Sequence, residues 1–291
     1  MRFVPPPGFS WRRAGRLHLC AGDSVAEGLS AALRDGVPAA LEELPGRGAV
    51  ARLRLEGGGS AILRRYRRGG LAGTFLPDVF WGPRRGLREL EVAHAARRAG
   101  APVPEPLAIA CSRRFLPGRL YMVTREVEDA VPLRAALAGS PAVAEASALL
   151  AAAARVARAC HDAGLVHADL NLGNILVGRA RPSSLVVVDL DRAHFRDDGA
   201  TVGERFWNLS RLARSHEKLF GREGPWGSDP APRLIGAYAA GDADTAWMMV
   251  RMMPAHRRAM RLHRLGWRIA AVFRRRPLDG GVAGPPPRAG G

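Results

Sequence analysis

The sequence predicts an α+β fold of two lobes, a β-rich first part and an α-helical second part, with a cleft between them. Three observations predict it. Short apolar runs at Gly48 to Leu55, Ser60 to Tyr66 and Leu120 to Val127 read as strands. An alanine-rich segment, Ala142 to Ala163, opens a stretch of helical periodicity that resumes from about Thr201 to Arg276. Between those helical parts, a polar loop from His167 to Asn174 and an apolar β segment from Leu185 to Leu190 gather amides and carboxylates.

The elements follow in order. Gly48 to Leu55 alternates as a strand, Gly57-Gly58-Gly59 turns the chain, and Ser60 to Tyr66 forms the second strand. Leu87 to Arg98 places apolar residues at helical spacing and stops at Gly100 and Pro102. Leu120 to Val127 is a further strand, and the two parts join near Glu126 to Pro132. The helix from Ala142 closes at Gly164, and Leu165-Val166 leads into the polar loop. Pro277 to Gly291 is rich in proline and glycine and reads as a disordered tail.

Composition sets limits on function. With 24% charged and 47% hydrophobic residues the chain is of globular type. Its net charge of +17 rests almost wholly on arginine, because Lys218 is the single lysine. Such a charge concentrates nucleotides, nucleic acid or an anionic membrane at the surface without choosing among them. Cys20, Cys111 and Cys160 are odd in number and far apart, which gives no metal-ligand spacing and no disulfide framework. A reduced, cytoplasmic setting fits them. Met1 to Ser10 lacks the apolar run of a signal peptide, and Ala142 to Cys160, interrupted by Glu145, Arg155 and Arg158, is too charged to span a bilayer.

The chemistry lies in His167-Ala168-Asp169-Leu170-Asn171-Leu172-Gly173-Asn174, followed by Val187-Val188-Asp189-Leu190-Asp191. This is the H-x-D-x-x-x-x-N spacing of a phosphotransferase catalytic loop, then an aspartate after an apolar strand. A phosphoryl donor carries several negative charges, so Mg²⁺ must be held by oxygen ligands that leave part of it open. Asn174 and Asp189 offer such oxygens from two segments, and Asp169 is placed to face the acceptor hydroxyl as base. His167 reads as a support of the loop. The fold is then protein-kinase-like, with ATP and Mg²⁺ as cosubstrates. Its first lobe, residues 46–128, binds nucleotide, and its second, residues 129–276, is catalytic. Residues 1–45 are an N-terminal extension with the first elements of that first lobe, and 277–291 are the tail.

Upstream, Gly46-Arg47-Gly48 would let backbone approach phosphates, although a G-x-G is often only a turn. Arg64, in Ala61-Ile62-Leu63-Arg64, stands where a protein kinase places the lysine of its V-A-I-K strand, and Glu89 on the following helix would pair with it. Arg64 and Glu89 also fit a solvated surface pair in an arginine-rich chain. Protein serine/threonine kinases usually carry a lysine two residues after the catalytic aspartate, where Asn171 stands here. Asp191 replaces the glycine of the D-F-G triplet, and no A-P-E motif follows. These departures point to a small-molecule or glycolipid acceptor.

The chain resembles the 3-deoxy-D-manno-octulosonic acid (Kdo) kinases of the lipopolysaccharide kinase family. The resemblance runs from about Gly46 to Leu219. It is carried by Gly46 to Val50, Leu63 to Leu71, Arg88-Glu89, Gly100 to Pro104, His167 to Leu176, Val188 to Arg192 and Asn208 to Ser215. It implies an arginine at Arg64, Asp169 as the active-site aspartate, and a Kdo residue on a lipid A precursor as acceptor. It further implies a peripheral enzyme at the cytoplasmic face of the inner membrane. Arg65, Arg67 and Arg68 are candidates to meet the acceptor's anionic groups. The stretch from His263 to Arg276 reads either as a basic helix on an anionic membrane surface or as a core helix with solvated arginines. No obligate protein partner is evident, and a nucleic-acid role lacks any motif. Two rivals remain: a kinase for another core sugar such as heptose, and a pseudokinase scaffold, which Arg64 and Asp191 invite.

Overall fold

The computed structural model describes residues 3–38, 42–44, 48–56, 58–67, 78–139, 142–179, 184–221, 224–227 and 229–274. Packing divides the chain into two compact units, Met1–Val250 and Arg251–Gly291.

A seven-stranded sheet dominates the first part of the larger unit. Strands β1 (Phe9–Ala14) and β2 (Leu17–Gly22) form a hairpin, and helix α1 (Ala26–Ala32) follows. Next come β3 (Glu42–Leu44), β4 (Gly48–Arg54), β5 (Ser60–Arg65), β6 (Phe80–Trp81) and helix α2 (Arg84–Arg98). The region closes with β7 (Pro106–Cys111), β8 (Pro117–Gly118) and β9 (Leu120–Arg125). The sheet order is β1-β2-β7-β9-β5-β4-β3, with β6 and β8 paired separately. The predicted strands and the helix ending at Arg98 are present. The β1–β2 hairpin and β7 are additional, so residues before 45 supply sheet edge.

The period of two along each strand sorts residues between two faces. Ala51, Leu53, Ala61, Leu63, Tyr121 and Val123 turn to one side and form a core with Leu29 and Leu33. Val50, Ile62, Arg64, Met122 and Thr124 turn to the other side and line a cleft. Their register is direct: Val50 pairs with Arg64, Arg64 with Met122, and Ile62 with Thr124. Helix α2 seats closely on this sheet at Gly86, where a Cβ would come within 3.1 Å of both Ile109 and Leu120 side chains. That seating brings Glu89, one turn further along, inward.

The helical part follows β10 (Ala130–Pro132), α3 (Leu133–Ala138) and α4 (Val143–Asp162). Gly164, at φ +87°, ends α4, and a Cβ there would fall 2.0 Å from the Arg196 carbonyl oxygen. Four short strands frame the polar loops: β11 (Leu165–Val166), β12 (Ile175–Gly178), β13 (Leu185–Val187) and β14 (His194–Phe195). Helices α5 (Val202–Phe220), α6 (Ala231–Ala239) and α7 (Ala243–Arg274) complete the chain. The three cysteines are free and buried, and burial pushes each thiol up to about 12.

Candidate active site

Strand pairing builds the site. The loop 167–174 is suspended between β11 and β12, and the loop carrying Asp189 between β13 and β14. β12 and β13 pair antiparallel with Ile175 opposite Val187, so the residues just beyond, Asn174 and Val188, meet next. The Val188 N–H donates to the Asn174 carbonyl at 2.9 Å. Asn174 and Asp189 therefore sit side by side, although 15 positions separate them in sequence (189 − 174). The other ends are tied by β11 and β14, through Leu165–Phe195 and Val166–His194.

Within the loop, Asn174 Nδ2 donates to the Asp169 carbonyl at 2.9 Å and Asn171 Nδ2 to the same oxygen at 3.0 Å. Asn171 Oδ1 in turn accepts from the Gly173 N–H at 2.8 Å. These bonds curl the loop so that the Asp169 side chain is exposed. Asn171, in the place of a kinase lysine, shapes the loop. Asp189 adopts φ +66°, a left-handed conformation that aspartate accepts at about 1 kcal/mol and that aims its carboxylate into the cleft.

The buried His167 joins the two loops. Its Nδ1 accepts from the Asp169 N–H at 3.0 Å, which places the ring proton on Nε2, where it donates to the Val188 carbonyl at 3.0 Å. Burial lowers its pKa, which keeps the ring neutral and in this tautomer. Helix α5 braces the loop from outside. Asn208 Oδ1 accepts from the His167 N–H at 3.3 Å and meets His161 Nε2 at 3.2 Å. Ser215 Oγ accepts from the Leu172 N–H at 3.2 Å. A capping box at Thr201 and Glu204 starts this helix.

Across the cleft, Arg64 Nη2 donates to Glu89 Oε1 at 2.7 Å and Oε2 at 2.9 Å, and lies 3.3 Å from Asp189 Oδ1. Glu89 is only 3% exposed, which rejects the solvated-pair alternative. Burial penalises the Arg64 charge, but the Glu89 and Asp189 carboxylates outweigh it and hold the guanidinium above its ordinary pKa. The fully buried Tyr66 donates its hydroxyl to Glu89 Oε2, and its ring lies beneath the guanidiniums of Arg64 and Arg85 at 4.9 and 5.2 Å. Arg85, one turn before Glu89 on α2, grips Asp191 with both ends of its fork, Nε donating to Oδ1 at 2.6 Å. The residue that departs from the D-F-G triplet thus ties α2 to the Asp189 loop. Sequence reading passed over Tyr66 and Arg85 as partners, because only the fold brings them to Glu89 and Asp191.

The cleft opens to solvent. Arg64, Glu89, Asn174 and Asp189 line it together with Val50, Ile62, Met122, Leu176 and Val188. The walls suit a flat apolar ring, and the polar end suits phosphates. Asn174 spends its Nδ2 on the Asp169 carbonyl, which leaves Oδ1 as a hard oxygen donor beside the half-exposed Asp189 carboxylate; that set fits Mg²⁺. Gly48 opens β4, two residues before the cleft-lining Val50. Gly46, Arg68, Gly69 and Gly70 lie outside the described residues. Arg65 and Arg67 lie within ion-pair reach of Asp78, at 3.6 and 3.8 Å.

Comparison with known proteins gives the family. A family model described as lipopolysaccharide kinase (Kdo/WaaP) family matches residues 37–238. A Vibrio cholerae serotype O1 protein named 3-deoxy-D-manno-octulosonic acid kinase is 31% identical over 182 residues, 60% of this chain and 73% of that protein. A Stenotrophomonas maltophilia protein of the same name is 37% identical over 169 residues, 56% of this chain and 64% of that protein. A solved structure titled WaaP in complex with acyl carrier protein aligns over 79% of this chain and 97% of its own, at TM-score 0.45 and 20% identity.

Proposed function

The chain belongs to the lipopolysaccharide kinase (Kdo/WaaP) family, and from that premise we propose that it transfers a phosphoryl group from ATP to a hydroxyl of the Kdo residue on a lipid A precursor. The observation that carries this reading is one cleft lined by Arg64, Glu89, Asn174 and Asp189, with Asn174 Nδ2 bonded to the backbone carbonyl of Asp169.

Each residue has a role. The apolar walls take the base of the nucleotide, and Arg64, oriented by Glu89 and Tyr66, faces its phosphates as a fixed donor fork. Asn174 Oδ1 and the Asp189 carboxylate would hold Mg²⁺, which supplies neutralisation of charge on the phosphates when bound. The exposed Asp169 carboxylate accepts the proton that the acceptor hydroxyl loses as its oxygen takes up the phosphoryl group. His167 and Asn208 keep that carboxylate in place by fixing the backbone on which it stands. Such positioning and electrostatics are the main resource of phosphoryl transfer. The presence of Asp169, Asn174 and Asp189 together favours turnover over a scaffold role, since a scaffold has no need of all three.

Membrane approach belongs to the same reading. Among the described residues no helix is long and apolar enough to cross a membrane. In the second unit, α7 exposes Leu262 and Leu265 beside exposed Arg258 and Arg261, a combination that suits a peripheral stay on an anionic inner-membrane surface at its cytoplasmic face. The test is an acceptor panel: purified protein, ATP and Mg²⁺ with a Kdo-bearing lipid A precursor and with a heptose-bearing core. Gain of one phosphate on the first supports the assignment, and gain on the heptose alone removes it.

A further inference from the structure

Two arginines on α5, Arg211 and Arg214, have no part in the site as described so far, yet they stand against its catalytic loop. Asn208 and Ser215 both bond to backbone N–H groups of that loop, so the turns between them lie along it. Residues 208, 211, 212 and 215 recur at helical spacing and share this face. Arg214 follows Arg211 by three positions and neighbours it on the helix surface. Both side chains are half-buried, and Arg211 makes no hydrogen bond or ion pair among the described residues.

Their charges act at the loop. Arg211 acts on the His167 ring, and Arg214 is acted on by both Arg211 and Asp169. Burial first, and then Arg211, pull the Arg214 guanidinium below its ordinary pKa, against the pull of Asp169. Holding two like charges close together, partly dehydrated, costs stability. The loop itself carries no lysine or arginine from Asp169 to Gly178, and Asn171 occupies the place two residues after Asp169. An anionic acceptor reaching Asp169 would meet a carboxylate of like charge, so positive charge from outside the loop is needed to seat it.

We propose that Arg211 and Arg214 form an anion cradle for the acceptor, binding its sugar-acid carboxylate so that the reacting hydroxyl rests beside Asp169. The inference rests on the sugar-acid phosphotransfer proposed above and adds which residues recognise the acid. It moves acceptor recognition from the Arg65–Arg67 strand end to α5. A guanidinium–carboxylate bond of ordinary strength corresponds to about a tenfold or greater change in affinity.

The test compares R211Q, R214Q and R211K with the exposed R155Q of α4 as a charge control. Steady-state transfer is measured on three acceptors: the intact Kdo-lipid, the same with the Kdo carboxylate reduced to an alcohol, and the same with the lipid phosphates removed. Expected are a rise of about tenfold or more in acceptor KM for R211Q and R214Q, an ATP KM within about twofold, and an intermediate value for R211K. The effect should persist on the dephosphorylated acceptor and largely vanish on the reduced one, to which the wild type already binds weakly. A loss that vanishes on dephosphorylation, a rise in ATP KM in place of acceptor KM, or an equal loss in R155Q overturns the cradle. Should R211Q fail to fold, R214Q and R211K decide. Should no acceptor be phosphorylated, the transfer reading falls by itself. Calorimetric binding of free Kdo to wild type and R214Q then tests the cradle alone: weaker binding by R214Q supports it, and equal binding overturns it.

Discussion

The Arg85–Asp191 latch gives a sharp test of how this site is held together. Arg85 is 34% exposed and Asp191 14%, and the fork makes two charge-assisted bonds. Such bonds contribute about 1.5–3 kcal/mol when well buried. Solvent at Arg85 screens them, so the pair is worth roughly 1–2 kcal/mol. The perturbation is a double-mutant cycle of Arg85→Gln, Asp191→Asn and both together, read by thermal denaturation. Each single change should lower Tm by roughly 2–8 °C. The double variant should be no worse than the weaker single, which yields a coupling of about 1–2 kcal/mol. Phosphoryl transfer should slow in step, because α2 carries Glu89 and the latch ties α2 to Asp189. Additive losses, with coupling under about 0.3 kcal/mol, would refute the claim that Asp191 is locked to α2.

Other outcomes follow from the same structure. Tyr66→Phe removes the hydroxyl that bonds Glu89 within a fully buried setting, and should cost about 1–3 kcal/mol in denaturant unfolding with little change in slope m; an unchanged midpoint would show that the bond contributes nothing. Acid should destabilise the protein through two buried histidines. His161, bonded to Tyr238 and Asn208, and His216, whose ring nitrogens have no partner among the described residues, are both lowered to about 4 by burial. Unfolded, these rings take up protons near pH 6.5, so between pH 6.5 and about 4 the unfolded state binds more protons and stability falls with pH, by about 3 kcal/mol per ring across the window. Urea unfolding at pH 7, 5.5 and 4.5 measures it, and a flat profile contradicts it.

The legibility of this molecule in its sequence follows physical lines. The catalytic loop is local: His167, Asp169, Asn171 and Asn174 bond to one another's backbone within a few residues, so their spacing alone carries the geometry. Arg64 and Glu89 were readable because Ala61 to Arg64 matches the V-A-I-K strand of a protein kinase, whose basic residue pairs with a glutamate on the following helix. Tyr66 and Arg85 were not, since no motif marks them and only the fold brings them to Glu89 and Asp191. The β1–β2 hairpin was missed although Leu17, Leu19 and Ala21 alternate, because Cys20 between them is also buried in the sheet and blurs the pattern. The Asn208 to Ser215 segment stood out in sequence without a reason, and the reason is contact: it supports the loop at His167 and Leu172.

The most direct measurement is phosphate transfer to the Kdo-lipid acceptor by wild type and Asp169→Ala, followed by mass spectrometry of the product. Asp169 is exposed and its side chain makes no hydrogen bond or ion pair among the described residues, so the variant should melt close to wild type while transfer falls by at least about 100-fold. Transfer at the wild-type rate by a folded Asp169→Ala protein would contradict the account at its base.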